Sequence, residues 1–207
     1  MRHEDWREAF KRLRAIAQTG QTYTKDPYDL ERYQELERLA LTMLARLLDS
    51  PLEAVQSVFL PEKGYPTPKI DVRAGVFDGD RILLVRETAD GRWTLPGGWG
   101  DEHESPKQSI EREVLEESGY EVRAARLVAV KDRHLHPYTP KRLERIYKLF
   151  FLCDLTGGAP STSLETDGVD FFALDALPPL SVGRTLAADI ELLALHRASP
   201  DLACYFD

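Results

Sequence analysis

A proline-rich segment divides the chain into two stretches with different hydrophobic patterns. Residues 61–68 are Pro-Glu-Lys-Gly-Tyr-Pro-Thr-Pro. Proline and glycine at this density interrupt helices and strands, and proline-rich segments act as semi-rigid linkers. Apolar residues recur only at helical spacing before the segment, whereas strand-like runs begin after it. We therefore predict a helical domain over residues 1–60, a linker over 61–69 and a second domain over 70–207.

The pattern of residues 1–60 is typical of helices alone. A first helix is predicted because apolar side chains recur every three or four positions, at Trp6, Phe10, Leu13 and Ile16. Asp26-Pro27 is typical of an N-cap followed by proline at the first helical position, so a second helix should run from there to about Leu48. A third, short helix should follow Ser50, which begins a capping-box pattern with Glu53.

The second predicted helix has an apolar stripe that includes Met43, Leu44 and Leu47. This stripe is larger than so few helices can bury between themselves, and exposed apolar patches of that size mark interaction surfaces. We therefore expect a homodimer formed through the N-terminal helices. The alternative is that these helices are only a structural cap.

Strand-like runs and two helices follow the linker. Asp78-Gly79-Asp80 predicts a hairpin turn between the first two strands. One helix is predicted from Pro106 to Ser118, with Ser105 as N-cap and Gln108 completing a capping box, and a last helix from Arg184 to Arg197. The strands are predicted at residues 72–77, 82–85, 127–130, 146–152 and 169–172. The fold class is therefore α+β, with a mixed sheet between helices.

Composition limits the classes of function. The net charge of −8 disfavours a nonspecific binder of nucleic acid or of an anionic membrane, since either would need a basic patch. Small phosphorylated ligands bound through a metal remain compatible with this charge. The N-terminus has no apolar signal segment, the apolar runs are too short to span a membrane, and Cys153 and Cys204 form no metal-ligand cluster. We expect a soluble cytoplasmic protein.

Three glutamates define the candidate chemistry. Glu113, Glu116 and Glu117 lie three and four residues apart, so a helix places them on one side. Glu113 and Glu117 also lie beside the Ile110/Val114 stripe that should face the core. Crowded, partly buried carboxylates are costly unless a cation neutralises them, and Mg²⁺ is the usual choice beside phosphates. An ordinary solvated acidic helix face is the alternative.

The residues around these glutamates distinguish the two interpretations. Gly98 is followed by five residues, Glu104, seven residues and then Arg-Glu-Val-Leu-Glu-Glu-Ser-Gly-Tyr at 112–120. This sequence resembles the signature of the Nudix hydrolases, GX5EX7REUXEEXGU with U apolar, if Tyr120 counts as apolar. The resemblance covers roughly residues 70 to 198. It implies a Nudix α/β/α sandwich with a mixed sheet, preceded here by a small all-helical domain.

The resemblance also implies roles for individual residues. Glu113, Glu116 and Glu117 would be metal ligands together with the carbonyl of Gly97, and the metal would be Mg²⁺, with Mn²⁺ as a substitute. Arg112 would orient the glutamates and can pair with Glu116 at i+4. Glu104 would lie near the metals as ligand support or as a base, and Gly119 would end the helix in the left-handed conformation.

The reaction implied is metal-dependent hydrolysis of the pyrophosphate bond of a nucleoside diphosphate linked to a group X. The N-terminal phrase QTGQTYTKDPYDLERY and the phrase GRWTLPGGWGDEHESP resemble a bacterial subgroup whose described substrates are ADP-ribose and CDP-choline. The alternatives are a non-catalytic nucleotide sensor, which should have a degraded signature, and a nucleoside triphosphate or RNA pyrophosphohydrolase.

Contacts to the substrate and the general base are less constrained by the sequence. Trp99 and Tyr138 could stack on a base, and Arg73 could reach a phosphate, although an arginine in an alternating strand is by default solvated. Glu165 is our candidate base because it ends a loop rich in small residues, 157–166, and in similar Nudix hydrolases a loop in this region can bring a glutamate over the metals. Glu104 is the other candidate for the base. The alternative for Glu165 is that it is an ordinary solvated loop residue.

Overall fold

The computed structural model describes residues 3–59 and 62–207. The chain forms two compact units, Met1–Pro68 and Lys69–Asp207, which we call the N-terminal and the C-terminal unit. Leu60, which ends the predicted helical domain, and Pro61, which begins the predicted linker, lie outside the described residues. No helix in the described ranges is both long and apolar enough to cross a membrane.

The N-terminal unit contains helices, as the sequence predicted. They are α1 (His3–Tyr23), α2 (Pro27–Leu47) and α3 (Leu52–Phe59). The side chain of Asp26 caps α2 by accepting hydrogen bonds from the backbone N–H groups of Tyr28 and Asp29, at 2.8 and 3.0 Å. The Ser50 hydroxyl instead donates to the Leu48 carbonyl at 3.3 Å. The predicted helix after Ser50 is confirmed, but the Ser50 side chain does not form the predicted capping box.

Burial within the N-terminal unit departs from the apolar stripes of the sequence. Leu44 is buried as expected, but Met43 is 44% exposed. The predicted stripe of α1 is also largely exposed, at Trp6, Leu13 and Ile16. The buried side of α1 contains Arg14 and Gln18 instead. These long polar side chains are satisfied by carbonyl groups, Arg14 by Phe59 at 3.3 Å and Gln18 by Gly64 at 2.9 Å.

The C-terminal unit is built on a mixed sheet of seven strands in the described residues. The strands are β1 (Lys69–Asp78), β2 (Arg81–Glu87), β3 (Trp93–Thr94), β4 (Tyr120–Asp132), β5 (Ile146–Gly158), β6 (Thr166–Ala173) and β7 (Tyr205–Phe206). The order is β3-β2-β1-β5-β4-β7, with β6 pairing on β2, and the β1–β5 pair is parallel. The predicted strands are confirmed and longer than expected, and the two-residue strands β3 and β7 were not foreseen.

Two helices cover the two faces of this sheet. They are α4 (Pro106–Ser118) and α5 (Ala187–Ala198), the second starting three residues later than predicted. Ile110 and Val114 of α4 pack on one face in a cluster with Val72, Ala74 and Val76. The opposite face packs on Ile190 and Leu193 of α5 in a second cluster. The α/β/α sandwich is thus confirmed. Because side chains alternate along β1, Asp71 and Arg73 belong to the α5 face.

Local signals set both ends of α4, which carries the glutamates. Ser105 and Gln108 form the predicted capping box. The backbone N–H of Gln108 donates to Ser105 Oγ at 3.3 Å, and the backbone N–H of Ser105 donates to Gln108 Oε1 at 3.0 Å. Gly119 ends the helix at φ 74°, in the left-handed region. A Cβ at Gly119 would overlap the carbonyl oxygen of Ala159. Both ends of α4 are therefore fixed independently of the chemistry on its surface.

We expect Gly119→Ala to destabilise the protein more than Gly79→Ala. Both glycines have positive φ, 74° and 55°, but a Cβ at Gly79 has nothing within 4 Å. Gly79→Ala should therefore cost only the left-handed backbone term, about 1–2 kcal/mol, and Gly119→Ala should cost more because the Ala159 carbonyl must also move. Urea unfolding of the two variants measures the difference. Equal losses would show that the overlap is relieved without cost.

Candidate active site

The C-terminal unit contains a cavity of about 640 Å³ beside the glutamate helix. One part of its wall is formed by the first residues of β1, the turn after β3 and helix α4. The other part is formed by the loops that follow β4 and β5 and by the loop that precedes α5. Of the residues proposed from the sequence, those in the wall are Arg73, Gly97, Trp99, Arg112, Glu113, Glu116, Glu117 and Glu165. Glu104 and Tyr138 are not among the cavity-lining residues of the described chain.

Glu117 is the most buried of the three glutamates, at 5% exposure. Its Oε2 accepts a hydrogen bond from the Gly97 N–H at 2.8 Å. Burial raises the pKa of Glu117 to about 8, against the opposing charge of Arg73 and the Gly97 hydrogen bond. The protein by itself therefore under-compensates a negative charge at this position.

The turn at Gly97-Gly98 lets the helix approach the first strand. Gly97 has φ 138°, and a Cβ there would overlap the Val72 carbonyl of β1. A Cβ on Gly98 would lie 2.7 Å from Glu113 Oε2. The turn is itself fixed to β1, because the Val72 N–H donates to the Gly98 carbonyl at 2.8 Å. Gly97 is therefore required by its backbone conformation and its approach to Val72, and Gly98 by its approach to Glu113.

Arg112 connects the acidic residues around the helix. Its Nη1 lies 3.0 Å from Glu113 Oε1 and 2.9 Å from Glu116 Oε2, which confirms the predicted i+4 pair. Its Nε donates to Glu104 at 3.0 Å, and Glu104 also accepts from Ser109 Oγ at 3.0 Å. Although burial opposes it, the hydrogen bonds to Glu104 and Glu116 raise the pKa of Arg112. Glu104 is thus placed to position Arg112.

The acidic set suits a hard divalent cation in its chemistry. Glu113 is half-buried, and burial raises its pKa against the charge of Arg112, while Glu116 remains exposed. Among residues 3–59 and 62–207, however, no three His, Cys, Asp or Glu side chains converge closely enough to hold an ion as they stand. Two of the three carboxylates are engaged by Arg112 instead. Carboxylate oxygens with too little positive charge nearby are the donor set that Mg²⁺ and Mn²⁺ prefer.

Arg73 is buried, contrary to the expectation of a solvated strand arginine, on the face of β1 opposite α4. It donates to Asp71 Oδ1 at 2.8 Å and to the Leu95 carbonyl at 3.1 Å. Lys148 of β5, also buried, donates to the other Asp71 oxygen at 2.9 Å. Arg73 lines the cavity, but its guanidinium already has protein partners.

The predicted role of Tyr138 in substrate stacking is wrong. Its side chain is fully buried, and its hydroxyl donates to Asp189 Oδ2 at 2.7 Å. Two cations lie close to its ring, with Lys148 Nζ 5.3 Å and Arg133 Cζ 5.5 Å from the centroid. An aromatic ring in a polar loop sequence can thus belong to the core, since the loop folds back over the sheet. Trp99, by contrast, lines the cavity and is 43% exposed.

Several charged residues of the cavity were missed from the sequence. Glu87, the last residue of β2, is buried and pairs with Arg184 at 2.8 Å. Asp71, Arg133 and Arg142 also line the wall. The available signal was a charged residue within or at the end of an otherwise apolar strand, as for Asp71 and Glu87. A charge there is either buried with a partner or aimed into a site.

Comparison with known proteins identifies the family. Residues 67–192 match the family model of the Nudix domain, and residues 4–59 match a model described as a UDP-X-like, N-terminal oligomerisation domain. The chain is a Nudix hydrolase. The helical segment that precedes the Nudix domain is therefore shared with other proteins of this family.

This Nudix hydrolase is similar to relatives over its whole length. It is 43% identical over 202 residues to the Bacillus subtilis (strain 168) protein YjhB, provisionally named an ADP-ribose pyrophosphatase, covering 98% of this chain and 97% of that one. A crystal structure of a UDP-X diphosphatase is 36% identical, covers 100% of both chains and has a TM-score of 0.63. A crystal structure of an ADP-ribose pyrophosphatase from Streptococcus suis 89-1591 is 43% identical with a TM-score of 0.63, and covers 68% of this chain and 100% of that one.

We expect the stability of the metal-free Nudix hydrolase to fall as pH rises through the range set by Glu117. In the unfolded chain this carboxyl titrates near its ordinary pKa of 4.5, whereas the folded pKa is about 8. Between these values unfolding releases a proton, so rising pH favours the unfolded state. Glu117→Gln cannot titrate, and its melting temperature should depend less on pH from about pH 5 to about pH 8.

The measurement is thermal unfolding in EDTA across that range. Glu102→Gln is the matched control because Glu102 is exposed and lies outside the cavity wall, and its profile should follow that of the wild type. A pH slope in Glu117→Gln as steep as in the wild type would contradict the assignment of the titration to Glu117.

Proposed function

We propose that this Nudix hydrolase cleaves the pyrophosphate bond of a nucleoside diphosphate linked to a group X, with ADP-ribose and CDP-choline as the substrates to test first. One observation carries the proposal. The intact glutamate helix places Glu117, with its pKa raised to about 8, in the wall of a cavity of about 640 Å³. The full-length similarity to relatives named for ADP-ribose and UDP-X supports this substrate class.

A divalent cation, Mg²⁺ or Mn²⁺, is part of the proposal. Glu113, Glu116 and Glu117 would hold it together with the Gly97 carbonyl, and Arg112 and Glu104 would position the first two carboxylates. When bound, the cation would neutralise the negative charge of the diphosphate. Stabilising this charge is the main requirement of phosphoryl chemistry. The chain itself supplies the enclosing wall, the orientation of the carboxylates and a group that removes a proton from water.

The test is a hydrolysis screen of the full-length protein with Mg²⁺, with Mn²⁺ and with EDTA. The compounds are ADP-ribose, CDP-choline, a UDP-sugar, NADH, a dinucleoside polyphosphate, nucleoside triphosphates and a 5′-triphosphorylated RNA. We expect cation-dependent turnover that is highest on a nucleoside diphosphate-X compound. Glu117→Gln and Glu116→Gln should each lower kcat by roughly a hundredfold or more while the circular dichroism spectrum is unchanged.

Two other results would overturn the proposal. Tight nucleotide binding without turnover of any compound would indicate a sensor. A clear preference for nucleoside triphosphates or for RNA would indicate a pyrophosphohydrolase with a different leaving group.

We also propose Glu165 as the general base. Its side chain lines the cavity, and its backbone is fixed to β2's end because Thr88 donates to the Glu165 carbonyl through its N–H at 2.9 Å and its hydroxyl at 3.1 Å. Its charge acts on Glu87, another cavity residue. Glu104, the rival candidate, is engaged by Arg112 and Ser109.

Glu165→Gln should therefore lower kcat strongly with little change in KM, since a base acts in the transition state and hardly in ground-state binding. Steady-state kinetics on the best substrate of the screen measures both parameters. Glu102→Gln, an exposed glutamate outside the cavity wall, is the control and should behave as the wild type. Near-normal kcat in Glu165→Gln together with a large loss in Glu104→Gln would transfer the role to Glu104.

The N-terminal unit is proposed to form a homodimer. The matching family model is described as an oligomerisation domain, and the exposed apolar side chains of this unit include Trp6, Leu13, Ile16, Leu39 and Met43. Leu39 and Met43 are four residues apart on α2 and therefore share a face. Solvent exposure of so many large apolar groups is unfavourable unless another surface covers them.

Static light scattering should give about twice the chain mass of 23.5 kDa. Met43→Glu should shift the protein towards the monomer, because it buries a charge in the interface. Gln34→Glu is the matched control, since position 34 is exposed and lies roughly two and a half turns away, on the opposite face of α2. A wild-type monomer at micromolar concentration, or equal dissociation in both variants, would contradict the dimer.

We further propose that the chain consists of a helical domain over 1–60, a linker over 61–69 and a Nudix domain over 70–207. The family matches to 4–59 and 67–192 support these boundaries. We propose a cytoplasmic location, supported by the free thiols of Cys153 and Cys204, since oxidising compartments favour disulfides.

A further inference from the structure

Arg133 is a buried cation that forms no close ion pair with the residues that the structure describes. It begins the short 3-10 turn Arg133–Leu135 after β4, lines the cavity and is 3% exposed. Its Nη2 donates to the carbonyls of Pro140 and Gly183, at 2.8 and 3.2 Å. Its Nη1 is buried with no hydrogen-bond partner among residues 3–59 and 62–207. No carboxylate in those ranges lies within ion-pair distance of its guanidinium. A buried guanidinium with an unused N–H group is costly until an acceptor reaches it.

The carboxylates that act on Arg133 already have other cationic partners. Asp71 acts on it at longer range, but the Asp71 carboxylate is shared by Arg73 at 2.8 Å and Lys148 at 2.9 Å. Arg142 adds a further positive charge, with Glu144 at 4.0 Å from its guanidinium. Burial and the charge of Arg142 both lower the pKa of Arg133, whereas Asp71 and Glu144 raise it. Four cations, Arg73, Lys148, Arg133 and Arg142, thus face two carboxylates, Asp71 and Glu144, in this set.

The same cavity wall also carries acidic residues. Glu113, Glu116, Glu117 and Glu165 line it, and none of the helix glutamates is among the main groups that shift the pKa of Arg133. A cation bound by these glutamates would bring no negative charge to Arg133. An anionic group of the ligand can provide the acceptor that the buried Nη1 lacks.

The wall beside Arg133 is suited to a nucleotide. Trp99 is paired with Asp71 through a β-bridge, and Ile146 is paired with Lys69 in the β1–β5 register. Both side chains line the cavity together with Arg133 and Arg142. An exposed indole ring, an apolar side chain and two guanidinium groups within one wall match a base with an attached phosphate.

We propose that Arg133 and Arg142 form an anion subsite that binds a phosphate group of the nucleotide directly, without a divalent cation. The proposal rests on the proposed function only for the substrate class, a nucleoside diphosphate derivative. Arg133 provides a fixed donor because two backbone carbonyls hold its Nη2, and Arg142, which is more exposed, provides a second charge from the rim. Both residues are specificity-determining residues and take no part in bond breaking.

The test measures binding by the full-length protein in excess EDTA. Isothermal titration calorimetry compares AMP with adenosine, CMP with cytidine and UMP with uridine. The ratio of the dissociation constants of nucleoside and nucleotide isolates the contribution of the phosphate. For the wild type we expect the better nucleotide to bind roughly tenfold or more tightly than its nucleoside, as charge-assisted hydrogen bonds require. Inorganic phosphate should compete with the nucleotide but not with the nucleoside.

The variants separate Arg133 from a general effect of charge. Arg133→Gln should reduce the ratio roughly tenfold, Arg133→Lys should reduce it less because the charge remains, and Arg142→Gln should reduce it by about threefold or more. Arg123→Gln is the matched control, since Arg123 is an exposed strand arginine that pairs with Asp154 away from the cavity. It should leave the ratio unchanged, and nucleoside affinity should be similar in all variants.

The proposal is overturned if EDTA abolishes the advantage of nucleotide over nucleoside in the wild type, if neither compound binds, or if Arg142→Gln and Arg133→Lys both keep the wild-type ratio. Arg142→Gln keeps the test decisive should Arg133→Gln unfold, because the Arg142 side chain is exposed. The result is independent of hydrolysis. Metal-dependent turnover with no phosphate effect in EDTA would disprove the subsite alone, whereas a phosphate effect without turnover would disprove only the proposed reaction.

Discussion

The burial of one carboxylate constrains the rest of the C-terminal unit. Glu117 lies inside the protein and accepts a hydrogen bond from Gly97 at 2.8 Å. This contact requires helix α4 to approach β1 closely, which only a turn without side chains permits, and it requires a positive charge nearby, which Arg73 provides. The helix is held in place from the other side by Ile110 and Val114 in the core. The position of this carboxylate thus depends on local glycine geometry, on core packing and on charge compensation together.

The face of the sheet under α5 contains an unusual amount of charge. Asp71 is shared by Arg73 and Lys148, and Asp189 accepts from both Lys131 and Tyr138 at 2.7 Å. Such buried pairs often add little net stability, because the cost of desolvation offsets their attraction. They do fix geometry, since removing one partner leaves an uncompensated buried charge. Arg133 lies outside these compensated pairs, and its Nη1 has no partner among the described residues.

Sequence periodicity described the N-terminal helices well but not the surfaces through which they pack. The unit buries Arg14 and Gln18 of α1, whose polar ends reach the carbonyls of Phe59 and Gly64. Trp6 and Ile16 remain exposed. A hydrophobic stripe indicates that a helix has a partner, but a single chain cannot show whether that partner lies within the same molecule. In an oligomerisation domain, part of an apolar stripe can face another molecule while a different side of the helix packs within its own chain.

The sequence by itself determined the features that depend on neighbours in the chain. The capping box at Ser105, the left-handed Gly119 and the Arg112–Glu116 pair all follow from spacings of three to five residues, which one helix fixes. The strands and the α+β class followed from short-range alternation in the same way. Only the tertiary structure decided that Tyr138 belongs to the core, that Arg73 is buried against Asp71, and that Glu87 and Arg133 face the cavity. Those outcomes depend on which distant segment covers each side chain, and local periodicity carries no information about that.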